Sequence, residues 1–111
     1  MRGNETFKIA VRRIDEVSRE VLAKASLTPA DVDWFIPHQA NQRIIDAVGE
    51  RLGIPAARCY VNIDRYGNTS AASIPIALDE AVREGRVREG QVVLMAAFGA
   101  GLTWAASVVR W

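Results

Sequence analysis

Blocks with helix-like and strand-like hydrophobic spacing alternate along the chain. Residues 5–25 place apolar side chains at three- and four-residue steps with charged residues between them, which predicts an amphipathic helix. The same spacing predicts helices from about Asn41 to Leu52 and from Ser70 to Glu84. Short apolar runs that are typical of buried strands lie at Trp34–Ile36, Tyr60–Ile63, Gln91–Phe98 and Leu102–Arg110. The predicted order is α-β-α-β-α-β-β.

This order predicts an α/β fold with helices packed on a mixed, mostly parallel sheet, to which the last strand adds an antiparallel pair. A length of 111 residues fits one domain. Thr28, Pro29 and Asp31 have the spacing of a capped single helical turn, and residues 64–70 are polar enough to predict a loop.

The uncharged run from Gln91 to Val109 is long enough to span a bilayer. Gly99 and Gly101 interrupt it, however, and its second half contains the polar residues Thr103 and Ser107. Two buried strands joined by a glycine-rich turn therefore fit better than a membrane helix. The polar N-terminus also lacks the pattern of a secretory signal.

The composition narrows the function further. Fourteen Lys and Arg against 13 Asp and Glu give a formal net charge of +1, which disfavours binding to nucleic acid or to an anionic membrane. The single cysteine, Cys59, cannot form an internal disulfide, and no Cys/His cluster predicts a metal site. This cysteine usage fits a reducing compartment.

Three features follow predicted strands and could carry chemistry. His38, the only histidine, and Asn68 each lie between a strand and a helix, and a glycine-rich turn at residues 98–102 follows the next strand. Each also has an ordinary interpretation: a hydrogen-bonded histidine at a helix start, a helix-capping loop, and a strand connection. Because parallel strand ends meet at one sheet edge, the three could instead surround one carbonyl oxygen and stabilise an oxyanion.

The chain shows no convincing nucleophile for that chemistry. Cys59 precedes its predicted strand and so belongs to the opposite sheet edge from His38, which favours a structural thiol. A dyad of His38 with Ser70 or Ser73 stays open, although no motif supports it. Arg43, near the predicted site, is either a solvated side chain or a contact for a phosphate or an acidic partner.

Three segments, residues 34–45, 66–75 and 97–104, strongly resemble β-ketoacyl-[acyl-carrier-protein] synthase III, as do both chain ends. The resemblance covers the whole chain and implies a thiolase-like fold. It further implies a condensation in which a cysteine carries an acyl group, usually from acetyl-CoA. A malonyl group on acyl carrier protein then loses carbon dioxide and attacks that acyl thioester.

The resemblance also assigns roles to individual residues. His38 and Asn68 match two members of the Cys-His-Asn triad and would hydrogen-bond the enolate oxygen, while Ala100 would give a backbone N–H to the acyl oxyanion. The stretch linked to carrier-protein binding matches Gln39, Ala40, Asn41, Gln42 and Arg43. Asn4 and Asn41 match residues that bind the pantetheine arm, and Phe98 matches a neighbour of the nucleophile.

In this family the nucleophilic cysteine lies in the N-terminal part of the protein, and Cys59 does not match that residue. The chain is therefore expected to be the C-terminal portion of a thiolase-like domain, over residues 1–111, and inactive alone. The resemblance implies a cytoplasmic homodimer that uses acyl-CoA and carrier protein and binds no cofactor or metal. Two alternatives stay open: a non-catalytic module that binds carrier protein or CoA, and a polyketide starter synthase.

Overall fold

Helices and strands alternate along residues 2–99 and 102–111, which a computed structural model describes; of residues 2–4 it describes the backbone alone. The helices are α1 (Arg2–Lys24), α2 (Gln42–Leu52), α3 (Ile63–Tyr66) and α4 (Ser73–Arg83). The strands are β1 (Trp34–Pro37), β2 (Val92–Gly99) and β3 (Thr103–Arg110). Apart from the one-turn α3, each lies where the hydrophobic pattern predicted it, with ends displaced by a few residues.

The strands form one mixed sheet in the order β1-β2-β3. β1 pairs in parallel with β2, with Trp34 opposite Val93, and β2 pairs antiparallel with β3. The long uncharged run is thus the β2–β3 hairpin, as predicted. None of the helices in the described part of the chain is long and apolar enough to cross a membrane.

Helices pack on both faces of the sheet, and the strand alternation divides the core between the two faces. Phe35 and Leu94 point to the face covered by α1 and α2, where they join one apolar cluster. Ile36 and Val93 point to the opposite face and pack with Ala77 of α4 in a second cluster. This arrangement confirms the predicted α/β layers and fixes where the carboxyl ends of β1 and β2 meet.

The prediction of a strand over Tyr60–Ile63 is wrong. The residue before this segment, Cys59, makes one isolated parallel bridge to Phe35, and the Tyr60 N–H donates to the Phe35 carbonyl over 2.8 Å. Beyond that point the Asn62 N–H and the Tyr60 carbonyl bond to the Gln39 side chain rather than to a strand, and Ile63 begins α3. A side-chain amide therefore takes the place of the backbone ladder.

Helix α4 begins at Ser73 rather than at the predicted Ser70. Ser70 has φ +55°, in the left-handed region, so residues 70–72 form a separate 3₁₀ turn. The later start places Pro75 in the first helical turn, where its missing N–H costs nothing. The predicted turn at Thr28 is confirmed, because the Thr28 N–H donates to the Asp31 carboxylate over 2.8 Å.

Candidate active site

His38 and Asn68 line the same cavity, of about 460 Å³, at the carboxyl ends of β1 and β2. The described residues lining it are His38, Asn68, Ser70, Ala71, Ala97, Phe98, Gly99, Thr103, Trp104 and Ala105. The structure therefore brings together the two side chains that the strand order predicted to converge. Ala100 and its backbone N–H lie outside the described residues.

His38 extends β1 into the cavity wall. The His38 backbone N–H donates to the Ala96 carbonyl over 2.8 Å, which continues the ladder between β1 and β2. The ring meets the edge of Phe98, with centroids 6.1 Å apart at 71°, and Nδ1 lies 2.5 Å from Ser73 Oγ. Burial lowers the pKa of His38, which favours the neutral imidazole. A neutral ring has one N–H to donate and no charge to offer.

Asn68 is held by a loop with unusual backbone angles. Gly67 has φ +67° and ψ −160°, a conformation that essentially only glycine adopts. The Asn68 Oδ1 then accepts the Ser70 N–H over 2.9 Å. Because this bond occupies the carbonyl oxygen, it fixes the orientation of the amide and leaves Nδ2 as the group with protons to donate. Asn68 Nδ2, and the His38 ring when Nε2 carries the proton, can donate hydrogen bonds beside one cavity, and donors of this kind suit a developing oxyanion.

Two buried side chains, Gln39 and Ser73, hold the end of β1 in place beside the cavity. The spacing of the sequence assigned this role to neither residue. Gln39 is 1% exposed, and its Nε2 donates to the carbonyls of Pro37 and Tyr60 over 2.8 and 3.1 Å. Its Oε1 accepts the Asn62 N–H over 3.0 Å. One side chain therefore ties the end of β1 to the segment leading to Asn68.

The start of α2 is exposed beside this corner. Asn41 caps the helix, its Oδ1 accepting the Arg43 N–H over 2.8 Å. The Arg43 guanidinium carbon lies 4.9 Å from the Phe7 ring centroid, and Gln42 bonds to Asp46 one turn further on. Of Asn4 the structure describes only the backbone, within α1, so its predicted pantetheine contact lies outside the described side chains.

Cys59 lies outside the described lining of the His38 cavity and packs against α2 instead. A Cβ placed on Gly49 would come within 3.0 Å of its sulfur, so the thiol sits directly against the helix backbone. Burial, reinforced by the nearby Asp46 carboxylate, raises the pKa of Cys59 to about 11. A thiol this hard to ionise is a poor nucleophile, which agrees with the structural interpretation. Across residues 2–99 and 102–111, no three His, Cys, Asp or Glu side chains group as metal ligands would.

Residues 22–111 match the family described as 3-oxoacyl-[acyl-carrier-protein (ACP)] synthase III C terminal. The chain belongs to this family. The predicted resemblance to synthase III and the thiolase-like α/β fold are thereby confirmed.

Individual relatives match this chain over all or nearly all of its length. It is 60% identical to β-ketoacyl-[acyl-carrier-protein] synthase III of Synechocystis sp. over its full length, and covers 34% of that protein. The crystal structure of the Aquifex aeolicus synthase III matches all of it with a TM-score of 0.97 at 58% identity, 36% of that chain being covered. A priming β-ketosynthase of the R1128 polyketide pathway is 45% identical over 98% of this chain, with a TM-score of 0.87, and is covered over 33% of its own length. The chain thus spans about a third of these relatives.

The stretch that the resemblance links to carrier-protein binding is not uniformly accessible. The Gln39 side chain is buried, and both ends of its amide are bonded within the fold. The remaining residues of the stretch are accessible to different degrees: Ala40 is half-buried, whereas Asn41, Gln42 and Arg43 are exposed. The exposed part of this surface therefore begins at Asn41.

Replacing Gln39 by Ala should destabilise the chain by about 3 kcal/mol, because it opens a cavity and leaves buried backbone groups unpaired. Gln42→Ala is the matched control, since Gln42 is exposed and bonds only to Asp46 among the described residues; it should cost less than about 0.5 kcal/mol. Urea unfolding of the two variants measures the difference. Equal losses would contradict the structural role of Gln39.

Proposed function

We propose that this chain forms the enolate-stabilising part of a β-ketoacyl-[acyl-carrier-protein] synthase III. That enzyme condenses an acyl-CoA primer, typically acetyl-CoA, with malonyl-acyl-carrier-protein to begin fatty-acid synthesis. The main support is that His38 and Asn68 line the same cavity, where Asn68 Nδ2 is left to donate and the His38 ring can donate from Nε2. Membership of the synthase III family supports the choice of reaction.

The proposed chemistry needs two donors at one oxygen. When the malonyl thioester loses carbon dioxide, the electron pair of the broken C–C bond passes to the α-carbon, and negative charge develops on the thioester oxygen. His38 Nε2 and Asn68 Nδ2 donate to that oxygen and stabilise the enolate. The α-carbon then attacks the acyl thioester on the cysteine, and the thiolate leaves. His38 needs no positive charge for this role, which agrees with its lowered pKa.

A second segment must supply the nucleophile. Among the described residues the cavity lining contains no cysteine, and the thiol of Cys59 packs on α2. The chain by itself is therefore expected to lack acyl-transfer activity. Because it spans about a third of its relatives, a joined N-terminal part of a synthase III is the direct way to complete the site.

The exposed start of α2 is the proposed docking surface for the carrier protein. Arg43 carries an exposed positive charge beside the corner that holds His38, and would meet an acidic carrier protein or the phosphate of its pantetheine arm. Asn41 is placed to bond the arm itself, with Ala40 and Gln42 beside it. The complete enzyme is further proposed to be a cytoplasmic homodimer that needs no metal or bound cofactor.

The test is a chimaera that joins this chain to the part of the Aquifex aeolicus synthase that precedes the matched region. We expect it to form β-ketoacyl product from acetyl-CoA and malonyl-acyl-carrier-protein, whereas the 111-residue chain alone forms none. Product is measured by mass spectrometry of the carrier protein. Turnover by the chain alone, or a folded chimaera that binds carrier protein without turnover, would overturn the proposal; the second result favours the non-catalytic module.

The same chimaera tests the docking surface. Arg43→Glu should raise the KM for malonyl-acyl-carrier-protein about tenfold, because it puts a like charge opposite an acidic partner. The kinetics with malonyl-CoA provide the control and should change little. An equal effect on both substrates would place Arg43 outside the protein–protein contact.

A further inference from the structure

The Ser73 hydroxyl lies between the His38 ring and the backbone of Gln39. Ser73 is the first residue of α4 and is 2% exposed. Its Oγ lies 2.5 Å from His38 Nδ1 and accepts the Gln39 N–H over 3.3 Å. A serine on a helix of the opposite sheet layer therefore contacts the imidazole directly.

The protons around this hydroxyl can be placed by counting donors and acceptors. A serine hydroxyl has one proton and two lone pairs, and the Gln39 N–H uses one lone pair. If His38 Nδ1 carried the ring proton, Oγ would accept twice and its own proton would need another acceptor. Within residues 2–99 and 102–111 Oγ has no other hydrogen-bond partner, and a buried unpaired hydroxyl proton is costly. Donation from Oγ to Nδ1 satisfies every group.

We infer that Ser73 is a positioning residue: its hydroxyl donates to His38 Nδ1 and so holds the ring proton on Nε2. Nε2 is the ring nitrogen left for the cavity that His38 lines, so this tautomer gives the cavity a donor rather than a lone pair. The catalytic consequence rests on the proposed function, whereas the tautomer itself does not. The Phe98 edge against the ring and the His38 N–H bond to Ala96 hold the imidazole in the same orientation.

The tautomer can be measured directly, because His38 is the only histidine in the chain. Nitrogen-15 NMR of the histidine-labelled 111-residue protein at about pH 8, above the ordinary histidine pKa of about 6.5, separates protonated from unprotonated ring nitrogens. We expect a protonated Nε2 and an unprotonated Nδ1. Ser73→Ala should reduce the ratio of these tautomers about tenfold, since one hydrogen bond is lost, and Ser73→Thr, which keeps the hydroxyl, should restore it.

Ser18→Ala is the matched control for loss of a buried helical hydroxyl. Ser18 is fully buried in α1, and its Oγ has no partner among the described residues, so its removal should leave the histidine signals unchanged. A protonated Nδ1 in the unsubstituted protein, or a tautomer ratio that Ser73→Ala does not change, would overturn the inference. The first of these measurements needs no variant, so it stands even if Ser73→Ala unfolds the chain.

Activity of the chimaera separates this inference from the proposed function. Ser73→Ala should lower kcat for malonyl decarboxylation by up to about twofold with little change in KM, because a tautomer ratio that falls from about ten to about one leaves roughly half of the enzyme without the Nε2 donor. If the NMR result holds and the unsubstituted chimaera is inactive, the proposed function fails while the role of Ser73 in fixing the tautomer stands. If the chimaera is active and Nδ1 is protonated, the role of Ser73 in fixing the tautomer fails while the proposed function stands.

Discussion

Asn68→Asp should reduce malonyl decarboxylation by the chimaera at least about a hundredfold, the usual loss when one oxyanion donor is removed. The substitution keeps an oxygen to accept the Ser70 N–H, so the loop retains its cap. It replaces the Nδ2 donor with a carboxylate oxygen, which repels the enolate. Release of carbon dioxide from malonyl-acyl-carrier-protein measures this step, and acyl loading of the cysteine, measured separately, should be nearly unaffected.

Asn68→Ala is the companion variant, because it removes both the donor and the loop cap. If donation matters, the aspartate and alanine variants should lose decarboxylation to a similar degree. If Asn68 serves only to hold the loop, the aspartate variant should keep most of its activity and the alanine variant should not. This second pattern would assign Asn68 a structural role and remove one of the two proposed enolate donors.

His38→Ala should have a comparably large effect, again on one half-reaction. Loss of the Nε2 donor should slow decarboxylation by about a hundredfold or more while acyl loading continues, because the neutral His38 is not proposed to activate the nucleophile. The measurement is single-turnover kinetics of the two half-reactions in the chimaera. Equal loss of loading and decarboxylation would indicate instead that His38 acts on the cysteine or maintains the fold.

The layers and the convergence of the site could be predicted because they follow from periodicity. Phe35 and Ile36 are neighbours in a short apolar run, and alternation sends them to opposite faces. His38 and Asn68 each follow a segment that runs parallel to β2 or is bridged to β1, so their positions at one edge follow from chain direction. The match to the synthase III family agrees with finding His38 and Asn68 at one sheet edge.

The supporting contacts could not be predicted, because they depend on side chains that meet across layers. The Tyr60–Ile63 run has strand-like composition, but whether it pairs depends on the Gln39 amide, which takes the Tyr60 carbonyl and the Asn62 N–H. The Ser73 contact with His38 joins residues far apart in sequence. The resemblance placed Gln39 in a stretch linked to carrier-protein binding, and nothing in its spacing marks it as buried.

The Gln39 amide has a consequence for how the chain tolerates length changes. It reaches back two residues to Pro37 and across to Tyr60, so the number of residues between Pro37 and Gln39 is set by that reach. One inserted residue after Pro37 would carry the amide away from both carbonyls. The segments that carry His38 and Asn68 would then no longer be held at a fixed distance from each other, although every cavity-lining residue would still be present.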